Sequence, residues 1–251
     1  MRHEEILNLY KDHRYIAHRD MGGVRKLLGS IDVIVFFVND TQRIWTDSAR
    51  KRYRTAQKTA MQTLLRAVRK WDVDLQIRNA YVDVTLPMIC TPDNYDVWSK
   101  NIISKYGTLD IPAYQRKHEA VKQCTEAPII FVLNKPFRSR AVTVDWLTRM
   151  HGEMSLISSD YDVHTIMHEL LHQFGAMDLY YPKKVSDLVK QMGYKSVMHI
   201  HSSTDIDSLT AYLIGWTDEI DTHAAIILDR TKHYTREDIA AFIREKYQKA
   251  T

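Results

Sequence analysis

The apolar and polar positions of this chain follow two periods, one typical of strands and one typical of helices. The run IDVIVFFVND at residues 31–40 is β-branched and aromatic, which predicts a buried strand. From about Thr46 to Trp71 apolar residues recur at steps of three and four, which predicts a long helix with one buried face. That stripe consists of Ala49, Tyr53, Ala56, Ala60, Leu64, Val68 and Trp71. Further strands are predicted at residues 73–86, 128–134, 139–146 and 153–159, with 139–146 at a sheet edge.

Helical patterns surround these strands. Near the start we expect short helices at residues 3–17 and 20–28. A segment at 87–127, punctuated by Pro87, Pro92 and Gly107, is predicted to carry helices at 94–105 and 112–124. After the last strand, the pattern predicts helices at 161–174, 183–192, 205–215, 219–229 and 235–249. The order predicts an α/β (α+β) fold: a mixed sheet with a long backing helix, followed by a mostly helical C-terminal part.

No linker rich in Pro, Gly or Ser divides the chain, so we expect one main domain. Residues 1–30 are predicted to form an N-terminal helical extension, and residues 31–251 a single domain. Within it, 31–175 would be an N-terminal subdomain with the insertion 87–127, and 176–251 a helical C-terminal subdomain.

The composition is that of an ordinary globular protein, with 45% hydrophobic and 26% charged residues among 251. No apolar run approaches about 18 residues, so we expect no membrane span. The first residues are charged and lack the apolar centre of a secretory signal. Cys90 and Cys124 could form one bridge or remain thiols, and they do not have a zinc-finger spacing.

Positive charge is concentrated at Arg50–Lys58, RKRYRTAQK, within a chain of formal net charge +4. Such a stretch could meet nucleic acid or an acidic partner. It is also typical of the solvated face of a helix. No aromatic ladder or nucleic-acid motif accompanies it, so we do not expect nucleic acid to be a partner.

The stretch VHTIMHELLHQFGAMDLYYP, residues 163–182, holds the candidate chemistry. His168 and His172 are four apart, which places them on one face of a helix, where both ring nitrogens can bind one metal. Neutral imidazole suits Zn²⁺, and Glu169 could take a proton from a metal-bound water. The alternative is an amphipathic helix that carries histidines on its surface.

The residues after the helix extend this pattern. Gly175 stands where a helix end commonly needs a left-handed turn. Such a turn would bring Asp178 back towards the metal, and a carboxylate is an acceptable third zinc ligand. The alternative for Gly175 and Asp178 is a helix cap followed by a polar loop residue.

The segment HELLHQFGAMD, residues 168–178, resembles the extended zinc signature of the metzincin metallopeptidases, His-Glu-x-x-His-x-x-Gly-x-x-His or Asp. The Asp version is similar to that of snapalysin-type bacterial enzymes. KSVMHI, residues 195–200, resembles the family's Met-turn, which implies that Met198 lies beneath the metal. The order of predicted strands and helices over roughly residues 31–216 is also similar to the family fold.

The resemblance implies a zinc endopeptidase with one Zn²⁺ held by His168, His172 and Asp178, and with Glu169 as the catalytic base. Its partner would be a peptide or protein substrate, extended along the edge strand near Arg140–Trp146. The resemblance favours secretion, although the visible start shows no signal and would also suit the cytoplasm. The oligomeric state stays open.

The sequence departs from astacin-like members at Ile200, where those enzymes have a tyrosine that can touch the metal. Another donor would then help to stabilise the oxyanion, and the candidates are Tyr180, Tyr181, Tyr194 and His201. His164 is interpreted as a surface residue or a neighbour of the ligands. Glu219 is an alternative third ligand, and a Cys90 thiolate on the metal is a further, less favoured one.

Two other functional classes stay open. The chain could be a zinc-carrying protein that binds a peptide without turnover, although the acidic Glu169 has no role in metal binding alone. It could also be a basic adaptor that binds nucleic acid through Arg50–Lys58, with the histidine helix as scaffold. Such an adaptor would bind nucleic acid with a steep dependence on salt.

Overall fold

The computed structural model describes residues 26–142, 153–180 and 183–231. The helices predicted at 3–17 and 235–249 lie outside these ranges, as does the 139–146 strand from residue 143 onward. The helix predicted at 20–28 lies outside them too, except for its last three residues, which are not helical.

The strands of the described ranges form one five-stranded sheet. They are β1 (Gly29–Asn39), β2 (Leu75–Thr85), β3 (Ile129–Leu133), β4 (Arg140–Val142) and β5 (Met154–Ile157). Their order across the sheet is β2-β1-β3-β5-β4, and all neighbours are parallel except β4, which runs antiparallel to β5 at the edge. The predicted α/β (α+β) class with a mixed sheet is confirmed.

Strand β1 lies inside the sheet because its residues are apolar on both faces. It pairs with β2 along its whole length and with β3 on the other side, so that Phe36 lies between Val82 and Phe131. From Ile31 to Asn39 every residue of the strand is buried. A parallel strand covered on both faces requires such a continuous apolar run, which is why alternation is absent here.

The long helix α1 (Asp47–Val68) covers one face of the sheet. Thr46 caps its N-terminus by accepting a hydrogen bond from the Ala49 backbone N–H. The predicted stripe is its buried face: five of the seven positions are buried, Ala56 is partly buried, and Trp71 lies beyond the helix end. The helix therefore packs as its periodicity predicts.

The segment 87–127 covers the opposite face of the sheet. It contains a single 3₁₀ turn (Pro92–Asn94) and the helices α2 (Tyr95–Ser104) and α3 (Ile111–Lys122), close to the predicted bounds. Trp98 of α2 is fully buried, with its ring edge-on against Phe131 of β3 at 5.1 Å between centroids. The segment is therefore a layer of the core and not a surface appendage.

The last part of the described chain is helical, as expected. Its helices are α4 (Val163–His172), α5 (Lys183–Gln191), α6 (Ser208–Leu213) and α7 (Thr222–Thr231). α4 and α6 begin later than predicted because Asp162 and Asp207 act as their N-caps. All four helices contribute to the apolar core that includes α1. No helix within the described ranges is long and apolar enough to cross a bilayer.

Candidate metal centre

Helix α4 presents the candidate ligands from a rigid base. Its apolar side, with Ile166, Met167, Leu170 and Leu171, is fully buried against α1 and the sheet. Gln173, which directly follows the last helical residue His172, fixes the end of α4 to the sheet. Its amide accepts from the Ile129 N–H at 3.1 Å and donates to the Ile129 carbonyl at 3.0 Å. The buried apolar side and the two hydrogen bonds of Gln173 hold α4 in place, so the directions of its histidine side chains are fixed.

The chain turns back immediately after α4, as Gly175 predicts. Gly175 has a φ of 94°, a value that residues with a side chain rarely adopt. The N–H of Ala176 donates to the Leu171 carbonyl at 3.1 Å, which closes the turn. The reversal returns Asp178 to the face of α4 that carries the histidines.

Three ligand atoms meet at the end of this turn. Asp178 Oδ1 lies 3.1 Å from His168 Nε2 and 3.2 Å from His172 Nε2. The two Nε2 atoms are 3.2 Å apart. The structure therefore brings His168, His172 and Asp178, the predicted metal ligands, into one nearly equilateral triangle.

Both histidines point a lone pair at the centre of this triangle. His168 Nδ1 contacts the Val197 carbonyl at 3.1 Å, and His172 Nδ1 contacts the Ala176 carbonyl at 2.7 Å. A carbonyl only accepts hydrogen bonds, so each Nδ1 carries the proton. In the neutral ring Nε2 is then an unprotonated lone pair that faces the Asp178 carboxylate, and either a metal ion or a proton on one ring can lie between them. Metal-bound histidines commonly have this outer arrangement.

The carboxylate also fits a metal. Asp178 Oδ1 is buried and has no hydrogen-bond partner of regular geometry within the described part of the chain. Zinc ligands lie about 2.0–2.2 Å from the ion, so tetrahedral ligand atoms are about 3.3–3.6 Å apart. The observed separations of 3.1 and 3.2 Å are slightly shorter and need only a small expansion. The three residues therefore fit one zinc ion.

Without a metal, the charges of these groups favour a proton on His172 beside an ionised Asp178. Burial opposes ionisation of Asp178, but the His168 and His172 imidazoles outweigh it and lower the pKa of the carboxyl. Burial likewise opposes protonation of His172, yet Asp178 and Glu169 raise its pKa above the ordinary value. Asp178 is thus ionised, and in the absence of a metal a proton on His172 balances its charge.

Glu169 is the other buried acid of the centre, with 7% of its surface exposed. One of its oxygens lies within 4.8 Å of ring nitrogens of both His168 and His172. Burial raises its pKa, an effect that the two histidines partly offset. The backbone N–H of Ala141 in β4 donates to its carboxylate. Glu169 is therefore held between the two histidines and the edge strand.

Met198 lies in a tight turn under the centre. The N–H groups of His199 and Ile200 both donate to the Ser196 carbonyl. Met198 is fully buried and lines the same cleft as His168 and Glu169. Its carbonyl accepts from the Leu179 N–H at 2.9 Å, which ties this turn to the residue after Asp178.

A cleft runs over the centre between β4 and the Met198 turn. Its two hollows share Arg138, Ser139, Glu169 and Tyr180. One hollow continues towards His164 and His201, and the other contains His172 and Asp178. The edge strand β4 forms one wall, so a bound chain would pass directly beside Glu169.

The geometry ranks the oxyanion donors that the sequence left open. The Tyr180 ring stacks on His168 at 6.0 Å between centroids, and its hydroxyl accepts from Arg138 Nη2 at 3.2 Å. Burial and the nearby Asp178 raise the pKa of Tyr180, so its hydroxyl stays protonated. Tyr194 instead bonds to Ser208 and the Leu209 N–H, away from the cleft. His201 pairs with Asp162 at 3.0 Å, and Tyr181 lies outside the described residues, which leaves Tyr180 best placed.

The structure does not bring the other candidate ligands to the centre. Glu219 lies in an exposed turn between α6 and α7. Cys90 is buried in the core on the opposite face of the sheet, and burial raises the pKa of its thiol to about 11. Cys90 and Cys124 are both free thiols. A thiolate ligand from Cys90 is excluded by this position.

Within the basic stretch Arg50–Lys58, the side chains of Lys51, Arg52, Arg54 and Lys58 are exposed on the solvent-facing side of α1, whereas Tyr53 and Gln57 are buried. Arg50 pairs with Asp47 and Asp83, and the Arg54 guanidinium lies 5.0 Å from the centre of the Tyr81 ring. These two arginines therefore have partners within the protein.

Comparison of the sequence with models of known protein families gives no match, and comparison with curated proteins gives none either. The chemistry of the centre therefore rests on its own residues.

Three contributors to the centre could not be read from the sequence. They are the Val197 carbonyl that orients His168, the Ala141 N–H that holds Glu169, and the Arg138 side chain beside Tyr180. Each belongs to a segment far from α4 along the chain. No local motif signals such contacts, because backbone groups occur at every residue and arginines are common on surfaces.

Proposed function

We propose that this protein is a zinc-dependent endopeptidase of the metzincin type, in which His168, His172 and Asp178 hold the ion. The observation that carries the proposal is the convergence of His168 Nε2, His172 Nε2 and Asp178 Oδ1 at 3.1–3.2 Å from one another. The sheet with an antiparallel edge strand, the backing helix α1 and the buried Met198 turn agree with the architecture that the sequence resemblance implies, and they support the same class.

Zinc in such a site lowers the pKa of a bound water to about 7 and polarises a carbonyl oxygen. Glu169 would accept the proton of the attacking water and pass it to the leaving amine. Its raised pKa suits both steps, because the group must gain and then lose a proton near neutral pH. A residue whose only role was to bind the metal would not need to be a carboxylic acid placed between the histidines and β4.

The substrate would extend along β4. This strand lies at the edge of the sheet, and its Ala141 N–H contacts Glu169. A peptide that pairs with the strand by backbone hydrogen bonds would pass over the centre. Tyr180, supported by Arg138, would donate a hydrogen bond to the oxyanion as it forms.

Peptide-library cleavage read by mass spectrometry tests this function. We expect wild-type protein loaded with zinc to cut, and Glu169→Gln to lose at least about a hundredfold in rate, the size of a lost general base. Zinc content, measured on the same samples by atomic spectrometry, should be unchanged in Glu169→Gln because the carboxylate is not a ligand.

Glu219→Gln is the matched control, because it makes the same chemical change in an exposed turn. It should keep both zinc and cleavage. Full activity in Glu169→Gln would refute the assigned role of this residue. A folded, zinc-loaded wild type that binds library peptides and cuts none would favour the alternative of a peptide-binding protein without turnover.

A further inference from the structure

A second group of metal-binding side chains lies at the start of α4, beside the proposed zinc site. It consists of Asp162, His164 and His201, and one ligand atom of each lies within 4.8 Å of the others. His201 Nε2 is 3.0 Å from Asp162 Oδ2. The rings of His164 and His201 pack edge to face, with 4.6 Å between centroids.

His164 has an unused ring nitrogen in this group. Its Nε2 contacts the Val197 carbonyl at 2.9 Å and therefore carries the proton. Its Nδ1 is buried and has no hydrogen-bond partner among the residues the structure describes. In the neutral ring this nitrogen is a lone pair that faces no donor among these residues. A buried acceptor without a partner is uncommon in proteins and calls for an explanation.

The donors around this nitrogen suit a transition metal. Imidazole nitrogen together with carboxylate oxygen is a common donor set for zinc and its neighbours in the first transition row. Asp162 already has a structural role, since its Oδ1 caps α4 by accepting from the Thr165 N–H at 2.7 Å. Its other oxygen faces His201, whose side chain is 74% exposed and can turn without disturbing the core.

We propose that Asp162, His164 and His201 form a second metal site, which takes zinc or a similar divalent ion. The ion would be held by His164 Nδ1, a ring nitrogen of His201 and Asp162 Oδ2. It would connect the N-terminus of α4 to the residues that follow the Met198 turn. The site does not rest on the proposed peptidase function, because none of its three residues is a ligand of the central site.

The two sites meet at one backbone carbonyl. The Val197 oxygen accepts from His164 Nε2 at 2.9 Å and from His168 Nδ1 at 3.1 Å. A metal on His164 would therefore fix the same carbonyl that orients a ligand of the central site. This arrangement makes the second ion a support for the geometry of the first.

Zinc titration of the full chain tests the proposal. The metal-free protein is titrated with zinc chloride against a chromophoric chelator, for the wild type, His201→Ala and the double variant His168→Ala/His172→Ala. We expect the wild type to bind two ions and each variant to bind one. In the double variant only the second site remains, so its ion reports on that site alone.

Two further variants sharpen the test, both made in the background of the double variant. Asp162→Asn keeps a capping side chain but removes the charged ligand. It should lower the zinc affinity of the remaining site by at least about tenfold. His223→Ala removes an exposed histidine near Tyr194 and should leave both affinity and stoichiometry unchanged.

Binding of no ion by the double variant, or of two ions by His201→Ala, would overturn the proposal. So would an ion in the double variant that survives the further substitution His201→Ala. Failure of the peptidase assay would leave these outcomes unaffected, because they are read as metal bound and not as cleavage.

Discussion

A histidine ring can hold a metal only when the right nitrogen carries a lone pair, and at this centre backbone carbonyls decide which one does. The Val197 and Ala176 carbonyls place the protons of His168 and His172 on Nδ1, so that Nε2 faces Asp178. A surface histidine has water at both nitrogens and no such preference. If the centre binds a metal as we propose, its rings are already oriented for the ion, which would reduce the reorganisation that binding requires.

At this scale Tyr180→Phe should separate catalysis from metal binding. The change removes the hydroxyl that Arg138 contacts and keeps the ring that stacks on His168. We expect kcat to fall by about a hundredfold, the loss typical of one oxyanion donor, with zinc content unchanged. Steady-state cleavage of one library-derived peptide measures this. Tyr194→Phe, which alters a tyrosine outside the cleft, should keep its kcat, and an equal fall in both variants would contradict the role of Tyr180.

The stabilisation that zinc provides should depend on pH through His172. Asp178 raises the folded pKa of His172, so in the metal-free protein their pairing stabilises the fold fully below the unfolded value of about 6.5. That stabilisation is lost as the pH rises through the folded pKa. Zinc needs the unprotonated ring and gains as the proton leaves.

The increase in Tm on adding zinc should therefore be larger at about pH 8 than at about pH 5.5. Thermal unfolding of zinc-loaded and chelator-treated protein at the two pH values measures it. In His172→Ala combined with His201→Ala, which also removes the second proposed site, the increase should be small at both. A larger increase at the acidic pH in the wild type would show that proton and metal do not compete at this residue.

At the scale of elements, the centre depends on how α4 ends. The helix brings two ligands by its own periodicity, and the third comes only because the chain reverses at Gly175. The reversal needs a backbone that L-residues with a side chain avoid, at φ 94°. Gln173 holds the same helix end to β3, so the reversal starts from a fixed point.

Gly175→Ala should therefore lower both the free energy of unfolding and the affinity for zinc. A side chain at this φ destabilises the fold by about 1–2 kcal/mol, and any relief of the strain moves Asp178 away from the histidines. Chemical denaturation and zinc titration measure the two effects. Gly193→Ala is the control: its φ is 62°, and an added Cβ meets nothing within 4 Å. Gly193→Ala should lose stability but keep its zinc affinity. An unchanged zinc affinity in Gly175→Ala would contradict the role of the turn at Gly175.

At the scale of the whole molecule, the sheet is covered on both faces, and only one face carries the centre. Helices α1 and α4 lie on one side, while the segment 87–127 encloses the other around Trp98. β1 and β3 have buried residues on both faces, so neither layer can be removed without exposing them. The segment 87–127 thus supports the site through the sheet, without contributing a ligand.

Trp98→Ala should accordingly destabilise the whole domain. A fully buried aromatic side chain replaced by alanine costs about 3–5 kcal/mol. Val97→Ala, one position earlier on α2 and 47% exposed, should change the free energy of unfolding by less than about 0.5 kcal/mol. Urea denaturation measures both. A loss in Trp98→Ala as small as in the control would show that this layer is not part of the cooperative core.

The sequence by itself determined what depends on neighbours along the chain. The i, i+4 spacing put His168 and His172 on one face of α4, Gly175 marked its end, and apolar periodicity located the described strands and helices within a few residues. These features are local, because helix geometry and backbone sterics act over a single turn. The predictions of the short β4 and of the bounds of α6 were less accurate, because a strand-pairing partner and helix caps set where these elements begin and end.

Only the tertiary structure decided which groups meet across long separations. It placed the Val197 carbonyl on His168, the Ala141 N–H on Glu169 and Arg138 on Tyr180. It also assembled Asp162, His164 and His201, which the sequence scatters over some forty positions. Such contacts follow from the packing of the turn around Met198 and of β4 against α4. No pattern within a single segment carries that information.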